Sequence, residues 1–358
     1  MRVERVALRD FRSYDAVAIA IGPGLTVVHG PNGSGKTNLL EALYFGCTGR
    51  SFRTADERQL VRFGAGALRV VIAGAGDDRR RHELAVGFAP GEPKRMTSDG
   101  APVARLTDVP HRPLVSVFSP DRLELVKGGP ALRRAHLDQF VAALWPARTV
   151  TRRAYREALA QRNALIARIR GGRAGADALA PWNATLAATG IALAADRGAA
   201  VDLIADRGAA HAASLGIAGE VLFSYRRRTT AATVEELAAE LAGALDADLA
   251  RGYTTRGPHR DDLAIVRDGR SLRRYGSQGE QRVALLALLL AERDALAAEL
   301  DRPPLLLLDD VMSELDAGRR SQLAVELRRG GGQVVLTATE REHVPGWSDA
   351  AVAVVAVP

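Results

Sequence analysis

The octapeptide GPNGSGKT, Gly30 to Thr37, constrains this 358-residue chain more than any other feature. It matches the pattern G-x-x-x-x-G-K-[ST], with an apolar stretch, Leu25 to Val28, before it and the amphipathic NLLEALYFG after it. A strand, a glycine-rich loop and a helix in this order form a phosphate-binding loop. Only Lys36, Lys94 and Lys127 are lysines, so a chance match is rare. The motif predicts an α/β fold that binds a nucleotide.

The residue types of this loop indicate its chemistry. Glycines let backbone N–H groups curl round the phosphates, the Lys36 ammonium neutralises β- and γ-oxygens, and the Thr37 hydroxyl reaches Mg²⁺. The predicted nucleotide-binding residues are Gly30, Pro31, Asn32, Gly33, Ser34, Gly35, Lys36 and Thr37.

A second apolar run ends in two acids far along the chain. Leu305 to Leu308 read as a buried strand, and Asp309 and Asp310 follow directly. We expect Asp309 to be the Mg²⁺ ligand and Asp310 to orient or deprotonate the attacking water. A strand that ends in a capped turn is the alternative, and it explains one acid better than two. More than 270 positions separate Thr37 from Asp309, so the intervening chain must leave the nucleotide fold and return.

The stretch YGSQGEQRVALL, residues 275 to 286, changes abruptly from a small, polar loop to an apolar helix. Ser277 and Glu280 fit a capping box, Ser-x-x-Glu. The same small residues would leave helix N-terminal N–H groups open to an anion, although the loop has no lysine. Both interpretations remain open from the residues alone.

The order of the remaining elements narrows the class of nucleotide-binding fold. Short alternating runs before the loop, VERVALRDF and DAVAIAIGPG, predict antiparallel strands. A helix from Gly318 to Arg329, the strand QVVLTAT and a last strand in AAVAVVAV follow the second acid. In small GTPases and nucleoside kinases the acid follows the phosphate loop within one domain's length, which is not the case here.

These motifs together resemble the ATPase heads of the ABC family, and within it the RecF family of bacterial recombination mediators. The residues that carry the resemblance are LRDFRSY, GPNGSGKTNLLEALYF, SFR at 51 to 53, GGPALRRAHLD, RGPHRDD, the Ser-x-Gly-x-Gln loop and LLLLDDVMSELD. The resemblance implies an α/β ABC-type P-loop head, with an antiparallel β subdomain and a mixed or parallel sheet with helices. Residues 1–125 and 255–358 would form this head, and residues 126–254 an inserted, mostly helical arm.

The resemblance also implies roles at a nucleotide site shared by two subunits. ATP and Mg²⁺ would bind one subunit, and the signature loop of the other would contact that ATP through Ser277, Gln278, Gly279, Glu280 and Gln281. Thr339 would occupy the γ-phosphate sensor position, Glu314 and Asp316 would lie near the dimer contact, and the short arm of Asp310 implies weak hydrolysis. SVFSPDRLEL, residues 116 to 125, contains no glutamine for the usual Q-loop contact to Mg²⁺.

The implied function is an ATP-dependent, DNA-binding recombination mediator. ATP would close a homodimeric clamp on gapped DNA or on a junction of single- and double-stranded DNA. Slow, DNA-stimulated hydrolysis would release it, with RecR, RecO and RecA as partners in repair, replication restart and the SOS response. The alternative is the ATPase subunit of an ABC transporter. An SMC-like protein would need a long coiled coil, and an OLD-type nuclease would need more chain after Asp316.

Residues 130–250 show helical periodicity, for example at Leu137, Phe140 and Leu144, and they contain a basic segment. This segment contains seven arginines and only one acid, Glu157. A solvated helix face is one interpretation, and a surface that contacts phosphate backbone or a partner protein is the other. The arginines are Arg152, Arg153, Arg156, Arg162, Arg168, Arg170 and Arg173.

Other features indicate a cytoplasmic protein without a membrane partner. The longest strongly apolar run, Val283 to Ala291, is far shorter than the roughly 20 residues of a bilayer span, and the N-terminus has no apolar signal core. Cys47 is the only cysteine, which agrees with a reducing compartment. The net charge of +7 is compatible with a polyanionic partner. His259 has no second histidine at ligand spacing, so a structural role is favoured over metal binding.

Overall fold

A computed structural model of the chain describes residues 1–78, 80–313 and 315–357, with the side chain of Asp121 left out. Glu314 lies outside the described residues, so its predicted place near a dimer contact stays a prediction. The chain divides into two compact units, Met1–Arg122 with Leu296–Pro358, and Leu123–Ala295.

Fourteen strands and ten α-helices make up the described part of the chain. The strands are β1 (Arg2–Phe11), β2 (Tyr14–Ala20), β3 (Leu25–His29), β4 (Leu68–Ala75), β5 (Arg81–Phe88), β6 (Arg95–Ser98), β7 (Ala101–Pro102), β8 (Val115–Phe118), β9 (Val221–Arg226), β10 (Asp262–Arg267), β11 (Arg270–Ser271), β12 (Leu305–Leu308), β13 (Val334–Ala338) and β14 (Ala353–Ala356). The helices are α1 (Lys36–Thr48), α2 (Glu124–Lys127), α3 (Pro130–Leu144), α4 (Thr149–Arg170), α5 (Ala180–Ser214), α6 (Val234–Gly243), α7 (Leu245–Arg251), α8 (Leu272–Tyr275), α9 (Gln278–Leu300) and α10 (Ala317–Arg329).

The first unit contains a parallel sheet with strand order β14-β3-β13-β12-β8. Each neighbouring pair is parallel, with Leu307 opposite Val335 and Val27 opposite Leu336. The loop after β3 and the acids after β12 therefore leave the same edge of one sheet, with β13 between them. This arrangement confirms the expectation that two segments distant in sequence meet at one site.

An antiparallel sheet of order β2-β1-β4-β5-β6-β7 forms the rest of the first unit. Its apolar face, the parallel sheet and α1 contribute to one core, in which Phe11, Leu39, Phe45 and Ile72 are fully buried. Burial of such side chains supplies most of the free energy that stabilises a fold. The predicted α/β head, with an antiparallel subdomain beside a parallel sheet, is confirmed.

The second unit is mostly helical, as its periodicity predicts. Its longest helices, α4 and α5, are joined by the glycine-containing segment 171–179. The unit also contains a three-stranded antiparallel sheet, β11-β10-β9, of which β9 lies inside the predicted helical arm. The prediction missed this strand, although Val221, Phe223 and Tyr225 alternate along it as in a half-buried strand.

The segment Ala176–Ser214, which includes α5, is the one described stretch long and apolar enough to cross a membrane, with a mean hydropathy of 1.2. A single such helix is weak evidence for a span, since core helices share this composition. Leu186, Leu193 and Ile204 of α5 are buried in the second unit. Arg197, also buried in α5, donates to both Asp138 oxygens at 2.7 and 3.1 Å.

The two compact units differ from the predicted head and arm at one boundary. The first boundary falls at residues 122 and 123, close to the predicted 125 and 126. The second falls at 295 and 296, within α9, so residues 255–295 cluster with the helical segment. The functional division into head and arm stays a prediction.

Candidate functional site

The loop between β3 and α1 has a backbone that requires glycine. Gly33 and Gly35 have φ values of 84° and 100°, in the left-handed region that favours glycine. A Cβ added at Gly30 would lie 2.3 Å from the Val357 carbonyl oxygen, so a side chain cannot fit there. The sequence therefore folds this segment into a tight curve directly before α1, as a phosphate-binding loop requires.

Lys36, the first residue of α1, is folded back over this loop. Its Nζ donates to the carbonyl oxygens of Gly30 and Pro31 at 2.7 and 2.9 Å, and the residue is buried. The ammonium is thus held inside the curve of the loop, a position suited to an anion bound there.

Asp309 connects three segments at the edge of the parallel sheet. Both of its carboxylate oxygens accept from the Thr37 hydroxyl at 2.9 Å, and Oδ1 also accepts from the Thr337 hydroxyl at 2.9 Å. Thr337, in β13, accepts in turn from the Asp310 backbone N–H at 2.8 Å. The structure therefore brings the predicted residues Thr37 and Asp309 together, and it adds Thr337.

Burial raises the pKa of Asp309 above its ordinary value, and the neighbouring Asp310 carboxylate raises it further. The hydrogen bonds from Thr337 and Thr37 and the charge of Arg53 oppose that rise. A partly desolvated carboxylate with nearby hydroxyl groups is well suited to a hard divalent cation, whose charge would offset the burial of the anion.

Asp310 adopts an unusual backbone conformation, with φ at 50°. Asp and Asn tolerate this left-handed region better than most residues. Its Oδ1 is buried without a hydrogen-bond partner among the described residues, and so is the Ser34 Oγ of the phosphate loop. Buried polar atoms are normally satisfied, so these two indicate a place for a polar ligand. The donor set fits Mg²⁺ with Thr37 and Asp309 as its protein ligands.

These groups line a cleft of about 350 Å³. Its lining residues are Asn32, Gly33, Gly35, Lys36, Thr37, Asn38, Arg53, Asp309 and Asp310. The cleft is polar, with a lysine, an arginine and two carboxylates, which is suited to a phosphate group with a divalent cation.

Arg53 is a cleft residue to which the sequence assigned no role. Its Nη1 donates to the Asn38 side-chain oxygen at 3.1 Å and to Glu41 Oε2 at 3.3 Å. Glu41 is fully buried in α1 and also accepts from Arg12 at 2.8 Å and from Ser51 at 2.6 Å. The motifs LRDFRSY and SFR thus meet through Glu41. Their part in the family resemblance was the only available signal, because their partners are distant in sequence.

Thr339 follows β13 and lies beside the phosphate loop. Its hydroxyl is 3.5 Å from the Asn32 side-chain oxygen, at the limit of a hydrogen bond. The predicted γ-phosphate sensor position is therefore next to the loop, although its role stays a prediction. Asp316, predicted near a dimer contact, is the N-cap of α10 and accepts from the Arg319 backbone N–H at 3.0 Å.

The signature loop belongs to the second unit, and its capping box is confirmed. Glu280 accepts from the Ser277 backbone N–H at 2.8 Å, and Ser277 Oγ accepts from the Glu280 N–H at 3.3 Å. The Glu280 carboxylate also contacts Arg267. Gln281 is buried and donates to the Leu272 carbonyl at 2.9 Å, so its side chain holds the loop to α8.

The basic segment of α4 divides into buried and exposed arginines. Arg162 is fully buried, where it donates to Asp248 at 2.6 Å, to Thr254 at 2.8 Å and to Asn183 at 2.8 Å. Its inclusion in a DNA-contact surface was therefore wrong. Arg152 is half-buried and pairs with Asp138 at 3.1 Å. The exposed members are Arg153, Arg156, Arg168, Arg170 and Arg173.

His259 has the structural role that its sequence context favoured. Its Nδ1 bonds the Tyr155 hydroxyl at 2.7 Å, and its Nε2 bonds the Thr254 carbonyl at 2.9 Å. Burial lowers the pKa of this imidazole below its ordinary value. Since both ring nitrogens are engaged by protein groups, the ring is a packing element of the second unit.

Comparison with known proteins gives consistent matches. Residues 5–87 match the family model described as an AAA domain. The chain is 41% identical over 356 residues to the DNA replication and repair protein RecF of Anaeromyxobacter sp. (strain Fw109-5), covering 96% of this chain and 94% of that protein.

Solved structures agree with this match in fold. A structure of the recombination mediator protein RecF-ATP in the RecFOR pathway is 28% identical, covers 95% of this chain and 92% of its own, and has a TM-score of 0.83. An SMC head bound to the C-winged helix domain of ScpA is 17% identical, covers 94% and 89%, and has a TM-score of 0.59, which shows likeness of fold alone.

Proposed function

Because the chain belongs to the RecF family, we propose that it is an ATP-dependent recombination mediator that acts in DNA replication and repair. The observation that carries this proposal is the meeting of Lys36, Thr37, Asp309 and Asp310 in one polar cleft at the edge of the parallel sheet. This set of groups suits ATP hydrolysis by an ABC-type head. The family match argues against an ABC transporter subunit.

The residues of the cleft have separate roles in ATP hydrolysis. The loop N–H groups and Lys36 hold the β- and γ-phosphates of ATP, and Lys36 stabilises the charge that develops on the γ-phosphate. Thr37 and Asp309 would hold Mg²⁺, which would neutralise part of the phosphate charge. Asp310, with its unpartnered Oδ1, orients a water molecule and accepts its proton. The short Asp310 side chain and Thr339 at the sensor position favour slow turnover.

Homodimerisation on ATP is the second part of the proposal. The signature loop presents helix N-terminal N–H groups but has no lysine, so it is half of a phosphate site. The ATP held by Lys36 of one subunit would complete that site in a second subunit. Ser277, Gln278, Gly279 and Glu280 would face the nucleotide, whereas the bond from Gln281 to Leu272 positions the loop.

DNA is the proposed macromolecular ligand, in gapped or junction form. The exposed arginines of α4 and of the turn after it supply cations for phosphate contacts, and neutralising backbone phosphates gives affinity without sequence preference. Family membership supports RecR and RecO as partners, RecA loading as the outcome, and a cytoplasmic location.

Sedimentation of the protein with and without ATP, repeated with gapped DNA, tests the proposal. We expect ATP to convert monomer to dimer and to strengthen DNA binding, and we expect Lys36→Ala to abolish both effects. If neither ATP nor this substitution changed the sedimentation or the DNA binding, the clamp mechanism would be excluded.

Ser277→Arg tests the trans assignment separately. A bulky cation in the signature loop should block the approach of the second subunit, while the P-loop of the same chain is unaltered. We expect ATP binding by the monomer, measured by calorimetry, to remain and ATP-driven dimerisation to be lost. Loss of both together would refute the assignment, and Ser277→Ala serves as the smaller control.

A further inference from the structure

Three side chains with metal-ligating atoms converge on the antiparallel sheet of the first unit. His82 is in β5, Asp99 is in the turn between β6 and β7, and His111 precedes β8. His82 Nδ1 lies 2.8 Å from Asp99 Oδ2, and His111 Nε2 lies 3.7 Å from the same oxygen. All three ligand atoms lie within 4.8 Å of one another, and the two imidazole rings stack at 3.9 Å between centroids.

These separations are close to those of a first-row transition metal site. Bonds of about 2.0–2.1 Å to imidazole nitrogen and about 2.0–2.2 Å to carboxylate oxygen place tetrahedral ligand atoms roughly 3.4 Å apart. The observed 2.8 and 3.7 Å lie on either side of that value. To surround one ion, the two imidazole rings would turn out of their stacked arrangement, and His111 Nε2 would exchange its contact with Ser98 Oγ, at 3.1 Å, for the ion. A fourth position would be left to solvent.

The groups around the three ligands are also those of a metal site. Asp78 carboxylate oxygens lie 3.2 and 3.3 Å from His82 Nε2, which is the nitrogen left over if Nδ1 binds the ion. Such a carboxylate fixes the tautomer and orientation of a ligating histidine. Asp99 Oδ1 accepts from the Glu83 backbone N–H at 2.8 Å, which fixes the carboxylate with Oδ2 directed at His82 Nδ1.

The charge balance of the cluster favours an added cation. With neutral imidazoles, Asp78 and Asp99 contribute two negative charges, which a divalent ion would neutralise. Arg80, 4.0 Å from Asp78, offsets part of that negative charge, whereas Arg302 is paired with Asp77 at 3.2 Å. The alternative to a metal ion between His82 and Asp99 is a proton on the His82 imidazole.

We propose that His82, Asp99 and His111 form a binding site for a divalent transition metal ion of the Zn²⁺ class. Two imidazoles and one carboxylate select such an ion over Mg²⁺, which prefers oxygen ligands and keeps its water. The site shares no residue with the ATP cleft, so it is independent of the proposed function. The ion joins β5, the β6–β7 hairpin and the segment before β8, and it stabilises the first unit.

Calorimetric titration of untagged protein with Zn²⁺, in buffer with millimolar Mg²⁺ to occupy the ATP cleft, tests the site. We expect one Zn²⁺ per chain, and an increase of roughly 5–10 °C in thermal midpoint at a hundredfold excess over Kd. Co²⁺ in place of Zn²⁺ should give visible absorption bands of a tetrahedral site. His111→Ala and Asp99→Asn should each weaken Zn²⁺ binding at least tenfold and remove these bands.

Asp99→Asn is the variant chosen to preserve the fold, because Asn tolerates the φ of 50° at this position. His343→Ala is the matched control, since it removes a histidine that faces an acid, Glu340, elsewhere in the same unit. It should leave the stoichiometry and affinity unchanged. Absence of Zn²⁺ binding by the wild-type protein would overturn the proposal and assign a proton to the gap. Wild-type affinity in both folded ligand variants would also overturn it.

Discussion

Thr337 is the residue on which both acids of the cleft depend. Its hydroxyl donates to Asp309 Oδ1 and accepts from the Asp310 backbone N–H, both at the sheet edge. A threonine hydroxyl can serve as donor and acceptor at once, which valine of the same shape cannot. The placement of the Asp309 carboxylate relative to the Asp310 backbone therefore depends on one side chain in β13.

Thr337→Val should lower the free energy of unfolding by about 1–3 kcal/mol, because the Asp310 N–H loses its acceptor and the buried Asp309 carboxylate loses one of its two hydroxyl donors. It should also reduce ATP turnover, since Asp309 and Asp310 are no longer held in register. Thr337→Ser keeps the hydroxyl and is the control. Urea unfolding and a phosphate-release assay measure the two effects, and equal behaviour of both variants would contradict this role.

Asp310→Asn should slow ATP hydrolysis by about 10²–10⁴-fold if Asp310 accepts the proton of the attacking water. Asn has the same shape and tolerates the φ of 50°, so the fold should be retained. The ATP-bound dimer should then persist longer in sedimentation experiments. An unchanged turnover rate would remove Asp310 from the role of base.

Elements were predictable where a local pattern sufficed. The apolar run before Gly30–Thr37, its glycines and the amphipathic segment after it specify β3, the loop and α1, and the Ser277–Glu280 capping box marks the start of α9. The burial of Arg162 was not predictable, because its partner Asp248 is 86 residues away. Likewise, Thr337 looked like any other position of a buried strand. Tertiary contacts, which no local pattern encodes, decide both cases.

A buried ion pair joins α4 to α7, beside apolar packing of Leu165 and Ile166 with Leu245 and Leu249. Arg162 and Asp248 are both fully buried and 2.6 Å apart. Asp248→Ala should lower the free energy of unfolding by about 3–5 kcal/mol, because it leaves a buried guanidinium without a counter-charge. Urea unfolding followed by far-ultraviolet circular dichroism measures the change.

Two further variants test whether the loss of stability comes from the burial of the ion pair. Glu157→Ala removes the partner of Arg153, a pair exposed on the same α4, and should leave the urea midpoint unchanged. The double variant Arg162→Met with Asp248→Leu removes both buried charges and should be more stable than Asp248→Ala. It should stay below the wild type, because Asn183 and Thr254 lose their guanidinium partner. A similar loss of stability in Glu157→Ala would contradict the assigned importance of burial.

At the scale of the whole molecule, net charge and the exposed arginines determine how DNA binding should respond to salt. The chain carries a net charge of +7, and exposed arginines occur on both compact units. If the second unit contacts DNA, the arginines of α4 and the turn after it release counterions from the backbone on binding. The affinity for DNA then falls linearly with the logarithm of salt concentration.

Replacing four arginines of the second unit by glutamine should weaken DNA binding and lower the slope of log K against log salt by about 0.9 for each duplex phosphate that the variant no longer neutralises. The four are Arg153, Arg156, Arg168 and Arg173. A matched set removes the same charge from the first unit, at Arg69, Arg81, Arg95 and Arg105, all exposed. Fluorescence anisotropy with gapped DNA over a salt series measures both slopes. Because net charge changes equally in the two variants, a lower slope in the first set alone locates DNA on α4. A lower slope in the matched set alone would instead place DNA on the first unit and leave the α4 arginines as a solvated face.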